Sequence, residues 1–294
     1  VPIDPTTLQT IRGGDMSVRV VTDSASDLTD EEASALGITI VPLSIRFGEE
    51  EFIDRIELGA DEFYARMAAS NDVPGTAAPA PGAFKAAFDN CFEDGANTVV
   101  CINLSSGVSA TLEAAEIGAR ELGDRDIRII DSRSVTGGLG TLVLAAGQTA
   151  NNGASAEEVV SVVESLKQRT YVYAALDTLE NLKKGGRIGN AQALFGNMLS
   201  IKPIIDFSSG VVEEAAKLRT RKKSLVWLRN KLVEHGDRVE NLSIMHAQAE
   251  DIEDFLELLT TVVDPSTTRV GSIGPVVASH AGPGVVGMCF TLGD

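Results

Sequence analysis

Short, continuous runs of β-branched residues alternate along this chain with longer stretches of helical periodicity. That alternation limits the folds open to it more than any other feature. Val18 to Thr22, Thr98 to Asn103 and Ile127 to Asp131 are apolar almost throughout rather than at every second position, the pattern of strands covered on both faces. Between them, Thr29-Asp30-Glu31-Glu32 has the spacing of a reciprocal helix cap, and Leu58 to Ala69, Ala83 to Phe92, Thr111 to Leu122 and Gly137 to Asn151 read as helices. Ile38 to Ile45 reads as one further strand, with an edge hairpin around Gly48 and a Pro/Ala/Gly loop from Ser70 to Pro81. The prediction is an α/β fold built on a mostly parallel sheet.

The second half changes character. Ala156 to Gln168, Lys222 to Glu234 and Ile252 to Thr261 read as helices, with strands at Tyr171 to Leu176, Asn241 to His246 and two more near the end. Lys202 to Phe207 and Val211 to Ala215 are joined by Ser208-Ser209-Gly210, short enough for an antiparallel hairpin. Two domains are therefore expected: an N-terminal α/β domain over 16–154 and a C-terminal mixed-sheet α+β domain over 155–294, with a ligand between them. Met16-Ser17 immediately precedes the first strand-like run, so residues 1–15 are expected to be a leader or vector-derived segment.

Composition narrows the partners. Lys and Arg number 25 against 42 Asp and Glu, a net charge of -17, so nucleic acid is excluded as a partner and an anionic ligand must be met by a local device. No apolar run reaches the roughly 18 residues of a membrane span. Cys91, Cys101 and Cys289 form neither a CxxC pair nor a metal cluster, which points to small core residues in a cytoplasmic protein and to no metal.

Several segments could carry chemistry. Asn103 to Thr111 leaves a strand and enters a helix with hydroxyls at Ser105, Ser106, Ser109 and Thr111, which suits either an N-cap or a receptor for a carboxylate or phosphate. Gly107-Val108-Ser109-Ala110 also approaches a nucleophile elbow, with Ala110 in place of the last glycine and His280 downstream. The alternative function is accordingly a serine hydrolase of Ser109, His280 and Asp131 or Asp206. Thr76 is the hydroxyl of the rigid loop Pro74 to Pro79, and His280 lies in a turn-rich segment beside Gly282-Pro283-Gly284. Thr22 to Asp27 should share a sheet edge with the Ser105 to Ser109 loop, where Asp23 and Ser24 read as turn formers rather than Mg²⁺ ligands. Gly185-Gly186-Arg187-Ile188-Gly189 has neither a Walker ending nor a dinucleotide fingerprint, so no ATP site is expected.

Taken in order, Thr22 to Leu28, the Pro-x-Thr loop, Leu104 to Thr111, Asp131-Ser132 with Thr136-Gly137-Gly138, Leu179 to Ile188 and His280 to Gly284 resemble the DegV family of fatty-acid binding proteins. The likeness runs from about Ser17 to the C-terminus. It implies a non-enzymatic subunit that holds a long-chain fatty acid such as palmitate, stearate or oleate in a tunnel between its domains. The carboxylate would be presented to a separate, ATP-dependent bacterial fatty acid kinase for acyl-phosphate formation in phospholipid metabolism. By the same resemblance, Thr76, Ser109 and His280, with Ser106 beside them, contact the carboxylate, Asp23 and Ser24 support the loop, and Arg187 and Arg219 serve kinase docking. The family's usual Thr-Ser-Gln-Pro is Thr76-Ala77-Ala78-Pro79 here, and its Ser-Gly-Thr is Ser109-Ala110-Thr111. Between Lys183 and Lys223 nine cations face three acids, a local excess of six positive charges. Such a segment could meet a kinase or, transiently, an anionic membrane surface.

Overall fold

The computed structural model describes residues 18–70, 73–195 and 201–293, and the expected leader lies outside them. Strand β1 (Val18–Asp23) leads to helix α1 (Asp30–Ala35), whose start carries the expected double cap. The Glu32 amide donates to the Thr29 hydroxyl (3.1 Å), and the Thr29 amide donates to the Glu32 carboxylate (2.8 Å). The single strand expected over 38–45 is instead two, β2 (Thr39–Val41) and β3 (Ser44–Phe47), which enter different sheets. Pro42 stands between them with no amide hydrogen to offer a ladder. Gly48, at φ +59°, turns β3 into β4 (Glu50–Ile53), the expected hairpin.

Helix α2 (Ala60–Ala69) follows, and the segment expected to be wholly loop contains β5 (Gly75–Ala77), which pairs with β3 and sets Thr76 opposite Ile45. Next come α3 (Pro81–Glu93), β6 (Thr98–Asn103), α4 (Thr111–Arg120), β7 (Asp126–Asp131) and α5 (Thr136–Asn151). β2, β1, β6 and β7, in that order, form an all-parallel sheet. Its strands are buried on both sides because successive residues serve different cores. Val21, Val99 and Cys101 pack with Phe84 and Phe88 of α3 and with Ala115 of α4, whereas Val20, Val100 and Ile102 pack with Leu139 and Leu142 of α5.

The remaining elements are α6 (Ala156–Lys167), β8 (Thr170–Ala175), α7 (Glu180–Lys184), β9 (Lys202–Asp206), β10 (Glu213–Leu218), α8 (Arg221–His235), β11 (Val239–His246), α9 (Ile252–Leu259), β12 (Arg269–Ser272), α10 (Pro275–Ala281) and β13 (Val286–Leu292). They build a mixed sheet ordered β10-β9-β8-β13-β11-β12, in which only β11 and β12 run parallel. β9 and β10 form the expected antiparallel hairpin. Leu225, Leu228 and Leu232 of α8 and Phe255 of α9 cover one face of this sheet.

Helix α5 joins the two halves. Twelve of its sixteen residues are buried, as expected of a helix apolar on all sides. Glycine lets both neighbours approach: a Cβ at Gly137 would lie 2.9 Å from Met245 Cγ, and one at Gly140 would lie 2.8 Å from the Ser26 carbonyl oxygen. One apolar core consequently runs from Val20 through Leu139 to Met245 and Cys289. All three cysteines are buried and free, and no helix among the described residues is long and apolar enough to cross a membrane.

Candidate functional site

The C-terminal ends of β1 and β6 lie side by side, and Asp23 ties them together. Its carboxylate accepts hydrogen bonds from the Leu104 amide (2.8 Å), Asn103 Nδ2 (3.1 Å) and the Ala25 amide (3.1 Å). Burial nevertheless pushes its pKa up to about 6, because complete desolvation outweighs those bonds. The Ser24 hydroxyl accepts from the Leu43 amide (3.1 Å). Asp23 and Ser24 thus tie together the loop after β6 and the residue before β3.

That loop is pinned further along. The Ser105 hydroxyl donates to the Gly210 carbonyl (2.6 Å), and a Cβ at Gly107 would lie 2.7 Å from the same oxygen. Ser109 lies beyond this anchor, its hydroxyl 2.9 Å from that of Thr111. Ser106 points elsewhere: it is exposed and donates to Asp131 through both hydroxyl (2.5 Å) and amide (3.2 Å). It does not line the cavity described next, contrary to its expected place beside Ser109.

His280 sits in the last turn of α10 rather than in an irregular segment. Pro275 begins that helix, and Gly282, at φ +87°, ends it. Its Nε2 lies 2.8 Å from the Thr76 hydroxyl on β5, across 204 residues of sequence. Nδ1 is buried with no hydrogen-bond partner among the described residues. Burial, with the nearby Arg187 guanidinium, lowers the imidazole pKa to about 4, so the ring is neutral at pH 7.

Thr76, Ser109, Arg187 and His280 share the wall of one cavity of about 90 Å³. Leu43, Leu104, Val135, Phe207 and Val276 supply apolar lining. Arg187, expected at a docking surface, is half-buried here. Its Nε donates to the Val108 carbonyl (3.0 Å) and one Nη to the Gly185 carbonyl (2.7 Å), which holds the charge against the wall. Gly185 matters for its lack of a side chain, since a Cβ there would lie 2.3 Å from His280 Nδ1. The placement of Arg187 and Gly185 beside His280 arises from α7 packing on α10, where Asn181 Nδ2 donates to the Ser279 carbonyl (3.4 Å). No local motif announces it.

A hydrolytic triad is not assembled. His280 Nδ1 has no acid to orient it, Asp131 is engaged by Ser106 and the Arg133 amide (2.9 Å), and Asp206 accepts from the Ser208 amide (2.8 Å). Ser109 is not among the residues with the left-handed backbone of a strained elbow. Among the described residues no group of three or more His, Cys, Asp or Glu is arranged for a metal ion.

The expected cationic segment divides into paired and open parts. Lys184 pairs with Glu180, Lys202 with Asp177, Lys217 with Glu214, and Arg221 grips Asp251 through two bonds of 2.8 and 2.9 Å. Arg219, Lys222 and Lys223 are exposed and make no ion pair among the described residues.

A family model described as "Uncharacterised protein, DegV family" matches residues 17–292. A DegV domain-containing protein of Deinococcus radiodurans is 35% identical over 282 residues, 94% of this chain and 98% of that protein. A solved structure described as fatty acid binding of a DegV family protein from Thermus thermophilus superimposes with TM-score 0.85 at 30% identity, covering 94% of this chain and 99% of that one. A stearic acid-binding protein from Eubacterium ventriosum superimposes with TM-score 0.84 at 27% identity, covering 94% and 98%.

Proposed function

The chain belongs to the DegV family, and on that premise we propose that it binds a long-chain fatty acid between its N- and C-terminal halves and presents the carboxylate to a separate kinase. The observation that carries this reading is the convergence of Thr76, Ser109, Arg187 and His280, from four separate segments, on an otherwise apolar cavity. Hydroxyls and a neutral imidazole supply hydrogen bonds to an anionic head group, and Arg187 supplies the compensating charge. The acidic protein therefore needs no broad positive field to hold an anion. Relatives described as binding fatty acids, stearic acid among them, support the same ligand class.

The tail would dominate affinity. A dozen buried methylenes at roughly 0.8 kcal/mol each contribute on the order of 10 kcal/mol before association costs. A cavity of about 90 Å³ is well below the roughly 300 Å³ at which drug-sized ligand pockets begin. Acyl-chain entry thus requires the lining side chains to move apart, and the head-group residues set orientation.

Presentation to a kinase uses the exposed cations Arg219, Lys222 and Lys223, which stand on a strongly acidic chain as a local site for an acidic partner surface. Arg219→Ala should leave fatty acid binding unchanged and slow acyl-phosphate formation by added kinase and ATP. His280→Ala and Ser109→Ala should impair acyl-phosphate formation through the head-group site itself. Loss of lipid binding in the Arg219 variant would remove its docking role.

A further inference from the structure

A second cavity, of about 310 Å³, lies where the β1–α1 connection meets β12 and the start of α10. Asp27, Asp54, Glu32, Arg55 and Arg269 contribute its charged groups, and Leu28, Leu58 and Pro275 contribute apolar wall. One of the three acids, Glu32, is neutralised. Arg269 holds Glu32 through two bonds (2.6 and 2.8 Å), and Arg55 pairs with Asp30 and donates to the Leu28 carbonyl. Asp27 and Asp54 make no ion pair among the described residues, and the Arg269 and Arg55 charges reach them only at longer range. Asp54 is 1% exposed, its Oδ1 is buried with no hydrogen-bond partner, and Asp27 Oδ2 is in the same condition among the described residues. Asp27 Oδ1 is occupied by the Gly274 amide (3.0 Å).

Buried, unpaired carboxylate oxygens are costly unless a ligand satisfies them. We propose that this cavity binds a small organic cation, an ammonium group on a short aliphatic stem, with Asp54 and Asp27 taking its N–H donors and the apolar wall taking its carbons. A metal ion fits the wall less well, since only two free carboxylates are available and no metal-holding cluster exists among the described residues. The volume is of ligand size by the measure on which the first cavity falls short. Burial pushes the Asp27 carboxyl up to about 7, with the Asp54 charge adding to the effect, and pushes Asp54 up to about 6. An incoming cation would reverse those shifts, so affinity should strengthen from about pH 5 to about pH 8. Glu32, Arg55, Arg269, the Tyr64 hydroxyl and the Cys289 thiol also face the pair; the Glu32 carboxyl is held below its usual range, and Arg269, Tyr64 and Cys289 are held above theirs.

The test is calorimetric titration of the full chain at about pH 8 with 1,4-diaminobutane, 1-butanol and MgCl₂ as separate probes. Saturable binding of the diamine at roughly millimolar concentration, weakened about tenfold or more by Asp54→Asn with the thermal midpoint retained, is the expected result. Amide NMR of the unmodified protein should show the diamine perturbing Gly271, Ser272 and Gly274, which localises the site even if the variant fails to fold. No saturable binding, equal binding by the Asp54 variant, perturbations elsewhere, or displacement of the diamine by equimolar Mg²⁺ would each overturn the proposal.

Discussion

Replacing Gly185 with alanine tests the head-group geometry at a residue that makes no contact with ligand. Gly185 closes α7 at φ -76° and ψ -4°, values open to any residue. The substitution is therefore free of backbone strain, and reduced freedom of the unfolded chain favours folding by roughly 0.4–1 kcal/mol. The obstacle is the new Cβ, 2.3 Å from His280 Nδ1 and 3.1 Å from Cε1, where ordinary contact begins at 3.4 Å. The imidazole must retreat by about 1 Å, which shifts Nε2 from its present 2.8 Å contact with the Thr76 hydroxyl and misplaces it for a head group. Overpacking of this kind costs about 1–3 kcal/mol, so after the entropic gain the protein should lose stability only modestly. A hydrogen bond to a carboxylate contributes about 1.5–3 kcal/mol, and its loss should weaken fatty acid binding about tenfold to a hundredfold. Displacement of a fluorescent fatty acid measures that change, with a long-chain alcohol as the control that lacks the carboxylate and should be affected less. Unchanged affinity in a variant of unchanged thermal midpoint would refute the placement of His280 in the head-group site.

Three further outcomes follow from the same structure. His280 should titrate near 4 without ligand and rise toward the ordinary histidine range when a carboxylate binds beside it, because a neighbouring anion favours imidazolium; histidine NMR across a pH series reads this, and a pKa unmoved by fatty acid would contradict the assignment. Since its folded value is depressed, the contribution of His280 to the stability of ligand-free protein is lost as pH falls from about 6.5 toward 4, opposite in sign to the contributions of the raised Asp23, Asp27 and Asp54 carboxyls, so His280→Gln should lose less stability than the unmodified protein over that interval. Asp23→Ala strands the donors of Leu104, Asn103 and Ala25 and should lower unfolding free energy by roughly 3 kcal/mol or more in urea titration, with Asp23→Asn milder; a loss under about 1 kcal/mol would show that the loop is held by other contacts.

The fold was legible where burial dictates composition. Strands packed on both faces must be apolar throughout, so β1, β6 and β7 stand out, and α5 does so because it is buried on every side. The misreadings have local causes. Pro42 sits within an apolar run and divides it between two sheets, a division that hydrophobicity alone does not display. β5 is three residues long and shows no period, while α10 is a seven-residue helix whose Pro275 and Gly282 boundaries resemble turn punctuation. Thr76, Ser109 and His280 stand in motifs that the sequence displays, and the structure brings all three to one cavity; Ser106, expected with them from the family resemblance, bonds Asp131 instead. The pairing of Arg187 and Gly185 with His280 depends on the packing of α7 on α10, and a single sequence carries no trace of it. Asp54 was invisible for a related reason: an acid in a hairpin flank looks solvent-exposed until the tertiary fold buries it.

Organic extraction of the purified, denatured protein, followed by mass spectrometry, reads the bound ligand directly. After expression in a lipid-replete host, a C16–C18 fatty acid should be released in nearly equimolar amount, and Gly185→Ala protein should release less. Extracts free of fatty acid, from protein that also fails to take it up when it is added in excess, would contradict the fatty-acid reading of this chain.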